Sequence, residues 1–111
     1  MKRYHDHIYA MLDDVDDQYR ESLQNVADIC LALTQRAPET FHEALQSLWF
    51  LFVVLHMESN ASSFSPGRMD QYLYPYYRSD IASGYMTRQE ALELMECLWL
   101  KFNQIVYLRN K

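Results

Sequence analysis

Glycine and proline are scarce in this chain: only Gly67 and Gly84, and only Pro38, Pro66 and Pro75. So few breakers exclude a fold of many short strands joined by tight turns, and the long uninterrupted stretches favour helices. A basic stripe is missing too. Ten Lys and Arg stand against fifteen Asp and Glu, a formal charge of −5, and the acids are spread along the chain. That balance argues against a nucleic-acid partner, which needs clustered cations to neutralise phosphates. The longest apolar run, Leu48 to Leu55, has eight residues, whereas a membrane-spanning helix needs ~20. The N-terminal stretch from Met1 to Asp6 is charged with no apolar core behind it, so neither a secretory signal nor a membrane anchor is read. A cytoplasmic chain is expected. The two cysteines, Cys30 and Cys97, sit among apolar neighbours, which favours two buried free thiols in a reducing cytosol over a disulfide.

What is present is apolar and aromatic. Half of the 111 residues are hydrophobic and 14% are aromatic, which excludes a disordered chain and fits at most one domain. No internal repeat or low-complexity tract breaks it. A first helix is expected over 2–12, with Tyr4, Ile8, Met11 and Leu12 on one side. The acidic knot Asp13-Asp14-Val15-Asp16-Asp17 suits a helix start, because carboxylates cap free N–H groups at the positive end of the dipole. A second helix follows over 17–35, its apolar positions Tyr19, Leu23, Val26, Ile29, Cys30 and Leu33 spaced by three and four. Pro38 forbids simple continuation.

Thr40-Phe41-His42-Glu43 is a capping box that opens a helix over 41–57. The run from Leu48 to Leu55 has strand propensity, but the cap and the upstream Ala44 and Leu45 favour helix. Such a helix is apolar all round and must be covered on most sides. The rest of the chain is too small to cover it, a first sign that more protein belongs with it. The stretch 58–69 reads as a polar loop rich in serine. Asp70 can cap a short helix over 70–83, interrupted or restarted at Pro75 and ended by Gly84. Thr87-Arg88-Gln89-Glu90 is a second capping box, opening a last helix over 88–109. Its expected inner face is Ala91, Met95, Leu98, Trp99, Phe102, Ile105 and Val106. The chain stops at Lys111 in mid-helix, which the sequence offers as a second sign of truncation. The whole is one partial domain over 1–111, all-α, with four to five helices.

Side chains capable of chemistry are few. His5-Asp6-His7 lies near a terminus, where a solvated face outweighs metal binding. His56, Glu58 and Asp70 have no metal-ligand spacing, so capping and loop hydrogen bonds are the better reading and no metal site is assigned. Tyr72, Tyr74, Tyr76 and Tyr77 fit packing, with each hydroxyl finding a partner.

Two adjoining stretches carry more. The first runs from Pro38-Glu39-Thr40-Phe41-His42-Glu43 to Leu48-Trp49-Phe50. The second is Glu58-Ser59-Asn60, then Ser65-Pro66-Gly67-Arg68-Met69-Asp70-Gln71-Tyr72-Leu73-Tyr74-Pro75-Tyr76-Tyr77. With Glu90-Ala91-Leu92-Glu93-Leu94 and Cys97-Leu98-Trp99-Leu100-Lys101, they resemble an interior portion of the large domain of glycyl radical enzymes. The resemblance covers Ala37 to Asn110 and is nearest the diol dehydratase and lyase branch, rather than pyruvate formate-lyase itself. It implies a piece of the helical layer around an α/β barrel. In that family a glycine near the C-terminus stores a radical installed by a radical S-adenosylmethionine activating enzyme, and a loop cysteine passes it to substrate. Neither Cys30 nor Cys97 stands in a Gly-Cys-x-Glu loop, and neither glycine in an Arg-Val-x-Gly-Tyr loop. No catalytic residue and no cofactor is therefore assigned to this chain, which is expected to be inactive alone.

What the resemblance leaves is one wall of the substrate pocket. After Glu-Ser-Asn, dehydratase relatives carry a Gly-His-Ser-x-Ser type loop from which a serine reaches substrate. Here Ala61 and Ser62 replace the Gly and His, Ser63 is the best match for the contact and Ser65 the next. The competing reading is hydrogen bonding within the loop. Glu58, Asn60, Arg68 and Asp70 are assigned to support it, Arg68 and Asp70 by pinning the loop to its helices. The expected partner is the rest of a parent enzyme. The alternative is a stand-alone helical module that self-associates or binds another chain through its apolar faces.

Overall fold

The computed structural model describes residues 1–59 and 64–104, and of Ser59 only the helical backbone. Every regular element among them is helical: α1 (Lys2–Met11), a 3-10 turn (Leu12–Asp14), α2 (Asp17–Ala32), α3 (Phe41–Ser59), α4 (Met69–Tyr72), α5 (Tyr74–Ser83) and α6 (Arg88–Gln104). The all-α expectation holds. None of these helices is long and apolar enough to cross a membrane. The chain divides into two compact units, with the boundary after Pro38.

In the first unit α1 packs on α2. Leu12, Ala27, Ile29 and Cys30 are buried, but Tyr4, Met11 and Tyr19 stand exposed, so the apolar stripes are narrower than their spacing implies. Tyr9 donates its hydroxyl to Asp28 at 3.0 Å, which ties the two helices on their polar side. Asp16 occupies the N-cap of α2 without a side-chain cap bond. Asp17, in the first turn, pairs with Arg20 at 3.4 Å instead. The helix ends at Ala32, short of the expected residue 35, and a turn follows in which Thr34, Gln35 and Arg36 bond back to Leu31 and Ala32.

The second unit is built around α3. Its N-terminus leaves N–H groups without intrahelical partners, and the sequence around Thr40 supplies acceptors. The Thr40 hydroxyl accepts the Glu43 N–H at 3.2 Å; the Glu43 carboxylate accepts those of Glu39 at 2.8 Å and Thr40 at 3.4 Å. The remaining acceptor comes from far along the chain. Asp80, on α5, takes the Phe41 N–H at 2.7 Å. Both carboxylates are buried, Glu43 6% and Asp80 5% exposed, and the positive end of α3 offsets the cost of burying negative charge there.

Behind this cap lies the core: Phe41, Ala44 and Leu45 of α3, Leu73, and Ala91 and Leu98 of α6, with Leu48, Trp49, Leu94, Met95 and Phe102 packed against it. Phe52 rests on Phe102 with ring centroids 4.7 Å apart. The predicted segment 70–83 is two helices. Pro75 cannot donate to the Gln71 carbonyl four residues back, which rules out one continuous helix; the break falls two residues ahead, at Leu73, and Pro75 itself sits in the first turn of α5, where its missing N–H is harmless. Gly84 closes α5 in the left-handed region at φ 74°, its N–H on Asp80 and Ile81 carbonyls. Thr87 and Glu90 form the second capping box: Glu90 accepts the Thr87 N–H at 2.7 Å and its hydroxyl at 2.8 Å. Those bonds hold the Glu90 carboxyl below its ordinary range.

Two expectations for α6 need correction. Cys97 is exposed rather than buried, and Trp99 is 55% exposed rather than on the inner face. Leu98 points into the core, and neighbours one position away lie about 100° round a 3.6-residue helix. Ile105 and Val106 lie outside the described residues. On α3, Leu51, Val54, Leu55 and Met57 are exposed, and on α6 so are Leu92 and Leu100. Burying the exposed part of each such side chain would contribute at most about 1.5–3 kcal/mol.

Two predictions follow from the start of α3. Asp80→Ala leaves the buried Phe41 N–H without its acceptor and should destabilise the second unit by about 1–3 kcal/mol in urea unfolding; Ser79→Ala, on the exposed side of the same helix, should change little. His42 is desolvated, which lowers its pKa from the ordinary 6.5, partly countered by Glu43. The unfolded chain therefore takes up the proton first, and stability should fall as pH drops below 6.5 until the folded form also protonates. His42→Gln should flatten that slope in thermal melts run from pH 7 to pH 5.

Candidate functional site

The segment joining α3 to α4 is where the expected site residues fall. Glu58 is still helical and exposed, because α3 runs through Ser59 rather than ending at 57. Asn60 and Ser63 lie outside the described residues. From Phe64 onward the path is defined. Ser65 is exposed, and its hydroxyl oxygen accepts the Gly67 N–H at 3.2 Å. That bond lets Ser65 keep its own hydroxyl hydrogen for a further acceptor. Gly67 has φ 73°, a turn geometry that strains any residue with a Cβ.

Arg68 occupies the N-cap of α4 with no capping side-chain bond. Its guanidinium grips Asp70 through two parallel bonds, Nε to Oδ1 at 3.1 Å and Nη2 to Oδ2 at 3.0 Å. Gln71 adds a third donor to Asp70 at 2.9 Å. The pair closes over two residues and stiffens the entry to α4. Arg68, then Gln71, hold the Asp70 carboxyl below the ordinary carboxylate range, and Asp70 in turn raises the Arg68 guanidinium. Asp70 lies in the first turn of α4, a place that favours an anion but is not the cap the sequence suggested.

Two contacts tie this segment to the helices, and neither was foreseen. The Tyr72 hydroxyl donates to the Pro66 carbonyl at 2.6 Å. The His56 ring meets Phe64 edge-on at 5.1 Å and lies on Phe52 at 4.3 Å, while its Nδ1 is 2.8 Å from the Phe52 carbonyl oxygen. Tyr72 was readable only as an aromatic seeking a hydrogen bond, and His56 only as a non-ligand. At the far end of α4 a cavity of about 410 Å³ opens between Phe41, Met69, Asp70, Leu73, Tyr74, Tyr77 and Met95. Its walls are apolar apart from Asp70, so it offers contact area and little chemistry.

Near the N-terminus, His5 bonds to Asp6 at 2.9 Å and its ring lies 4.7 Å from Tyr9. Among the described residues no three His, Cys, Asp or Glu side chains converge as metal ligands. Gly67 and Gly84 are both turn residues, one between Pro66 and Arg68 and one closing α5.

The sequence as a whole matches the model of the pyruvate formate lyase-like family across residues 1–111. The chain belongs to that family. It is 38% identical to a trans-4-hydroxy-L-proline dehydratase of Clostridioides difficile, over 92% of this chain and 13% of the relative. It is 40% identical to an isethionate sulfite-lyase of Nitratidesulfovibrio vulgaris, over 86% of this chain and 12% of the relative. A structure solved for 1,2-propanediol dehydration in Roseburia inulinivorans superposes with a TM-score of 0.87 at 42% identity, covering 92% of this chain and 12% of that one. A glycyl radical enzyme from Archaeoglobus fulgidus gives 0.85 at 37% identity. The chain thus spans only about an eighth of the length of these relatives.

The Arg68–Asp70 geometry yields a direct check. Arg68→Gln should move the Asp70 carboxyl back up toward the ordinary carboxylate range, read as a shifted side-chain titration by NMR; an unmoved titration would leave the depression unexplained by the pair.

Proposed function

We propose that this chain is a segment of a glycyl radical lyase or dehydratase, that it forms part of the helical layer around that enzyme's barrel, and that it presents the loop between α3 and α4 to the substrate pocket. The observation that carries the reading is the agreement of sequence and fold, 42% identity with a TM-score of 0.87 over 92% of the chain, with an enzyme of 1,2-propanediol dehydration. Its contribution is scaffold rather than chemistry. The radical glycine, the loop cysteine and the activating enzyme belong to the full-length relatives, and the exposed Leu51, Val54, Leu92, Trp99 and Leu100 are faces that the remainder of such an enzyme would cover. Ser63 and Ser65 are the candidate substrate contacts, with Glu58, Asn60, Arg68 and Asp70 in support. The substrate itself is chosen by residues elsewhere.

The same exposed side chains would also serve a stand-alone module that pairs with itself or another chain. Sedimentation and thermal melts separate the two readings: a discrete species that unfolds cooperatively favours independence, whereas aggregation or a molten state favours the segment reading. The chemical test is electron paramagnetic resonance. Incubated anaerobically with a glycyl radical activating enzyme, S-adenosylmethionine and reductant, the chain should give no glycyl radical signal. A radical on Gly67 or Gly84 would overturn the assignment of a scaffold role.

A further inference from the structure

We propose that His56 and Tyr72 are positioning residues that grip the Ser65 limb of the loop from two sides, an inference that rests on the substrate-facing reading of that loop. The limb, from Phe64 to Arg68, has no regular structure of its own, yet the residues on either side of Ser65 are each held. Phe64, just before it, is half-buried with its ring against the edge of His56 at 5.1 Å. Pro66, just after it, receives the Tyr72 hydroxyl at 2.6 Å. Gly67 donates its N–H to the Ser65 oxygen. Ser65 is left exposed between fixed neighbours, with its oxygen oriented and its hydrogen free to donate.

The grip is braced behind the contacting rings. His56 donates Nδ1–H to the Phe52 carbonyl, which defines both the tautomer and the ring orientation. Phe52 lies on Phe102 of α6 and is buried, so Phe64 is connected through His56 to the α3–α6 core. Tyr72 stands on α4, whose entry is stiffened by Arg68 and Asp70. Burial raises the Tyr72 phenol above its ordinary value, so it stays protonated, and a donor, at neutral pH. The limb is therefore tied at one end to α3 and at the other to α4. A hydroxyl presented in this way suits a substrate with an oxygen acceptor.

Amide hydrogen exchange on the 111-residue chain tests the grip. Tyr72→Phe keeps the ring and removes the donor; it should speed exchange at Gly67 roughly three- to tenfold, the loss expected for one hydrogen bond. His56→Ala should loosen the same amide, and His56→Phe, which retains an aromatic edge for Phe64, should restore it. Amides of the α3 core near Leu48 should not respond to any of the three. Unchanged exchange at Gly67, or an equal rise at Leu48, overturns the proposal, since the second result marks general destabilisation. In a full-length enzyme containing this segment, Tyr72→Phe should raise KM several-fold with kcat little changed. A loosened limb with unmoved KM would overturn the substrate-facing role while leaving the grip itself intact, so the two failures are distinguishable.

Discussion

The Phe41 N–H and the Asp80 carboxylate, 2.7 Å apart and closed off from solvent, set the geometry on which the second unit depends. A helix as apolar as α3 has no polar face to fix its rotation, and hydrophobic packing is not directional. A hydrogen bond is directional. It joins the first residue of α3 to the middle of α5, and the Asp80 carbonyl also receives the N–H groups of Tyr85 and Met86 beyond the Gly84 turn. The same residue therefore anchors the start of one helix and the exit of another. With Glu43 bound to Glu39 and Thr40, two buried carboxylates sit at one helix N-terminus. They tolerate burial because the N–H groups and the dipole meet them there.

How much of this was legible depends on sequence distance. The Thr40–Glu43 and Thr87–Glu90 boxes were readable because both partners fall within one helical turn. Asp80 was not, because nothing local distinguishes it from a surface aspartate and its partner lies 39 residues upstream. The stop at Pro75 was readable as chemistry, yet the break itself falls at Leu73, two residues earlier, because Pro75 takes a place in the first turn of α5, where no N–H donor is needed. Cys97 and Trp99 were misplaced for a related reason: in a stretch apolar on several sides, spacing alone does not choose which row faces inward. The family resemblance located the loop, but the bonds that define its described limb come from His56 and Tyr72, two residues whose roles no spacing rule reveals.

The exposed apolar rows of α3 and α6 make physical sense beside the family assignment. A chain selected to fold alone would place polar residues where Leu51, Leu92 and Leu100 stand, since large exposed apolar patches invite association. On the proposed reading of the chain as a segment of a larger enzyme, the same residues would be interior positions covered by the remainder. Side-chain capping at the starts of α3 and α6 thus stands beside loose apolar coverage along the same two helices.

Between the cap and the loop, α3 acts as a strut. Its 19 residues span about 28 Å at 1.5 Å per residue, with Asp80 at one end and His56 near the other. The cap sets where the strut begins, and the Phe52–Phe102 contact sets how it lies on α6. Only then does the His56 ring arrive where Phe64 can meet it. The two ends differ in kind: a buried, charge-assisted bond at the start, which resists opening, and exposed or half-buried contacts at the finish, which yield more readily. Disturbing the first should move stability throughout the unit, whereas disturbing the second should move only the limb that carries Ser65. The proposed scaffold role would suit that order, with the rigid bond remote from the loop and the adjustable contacts beside it.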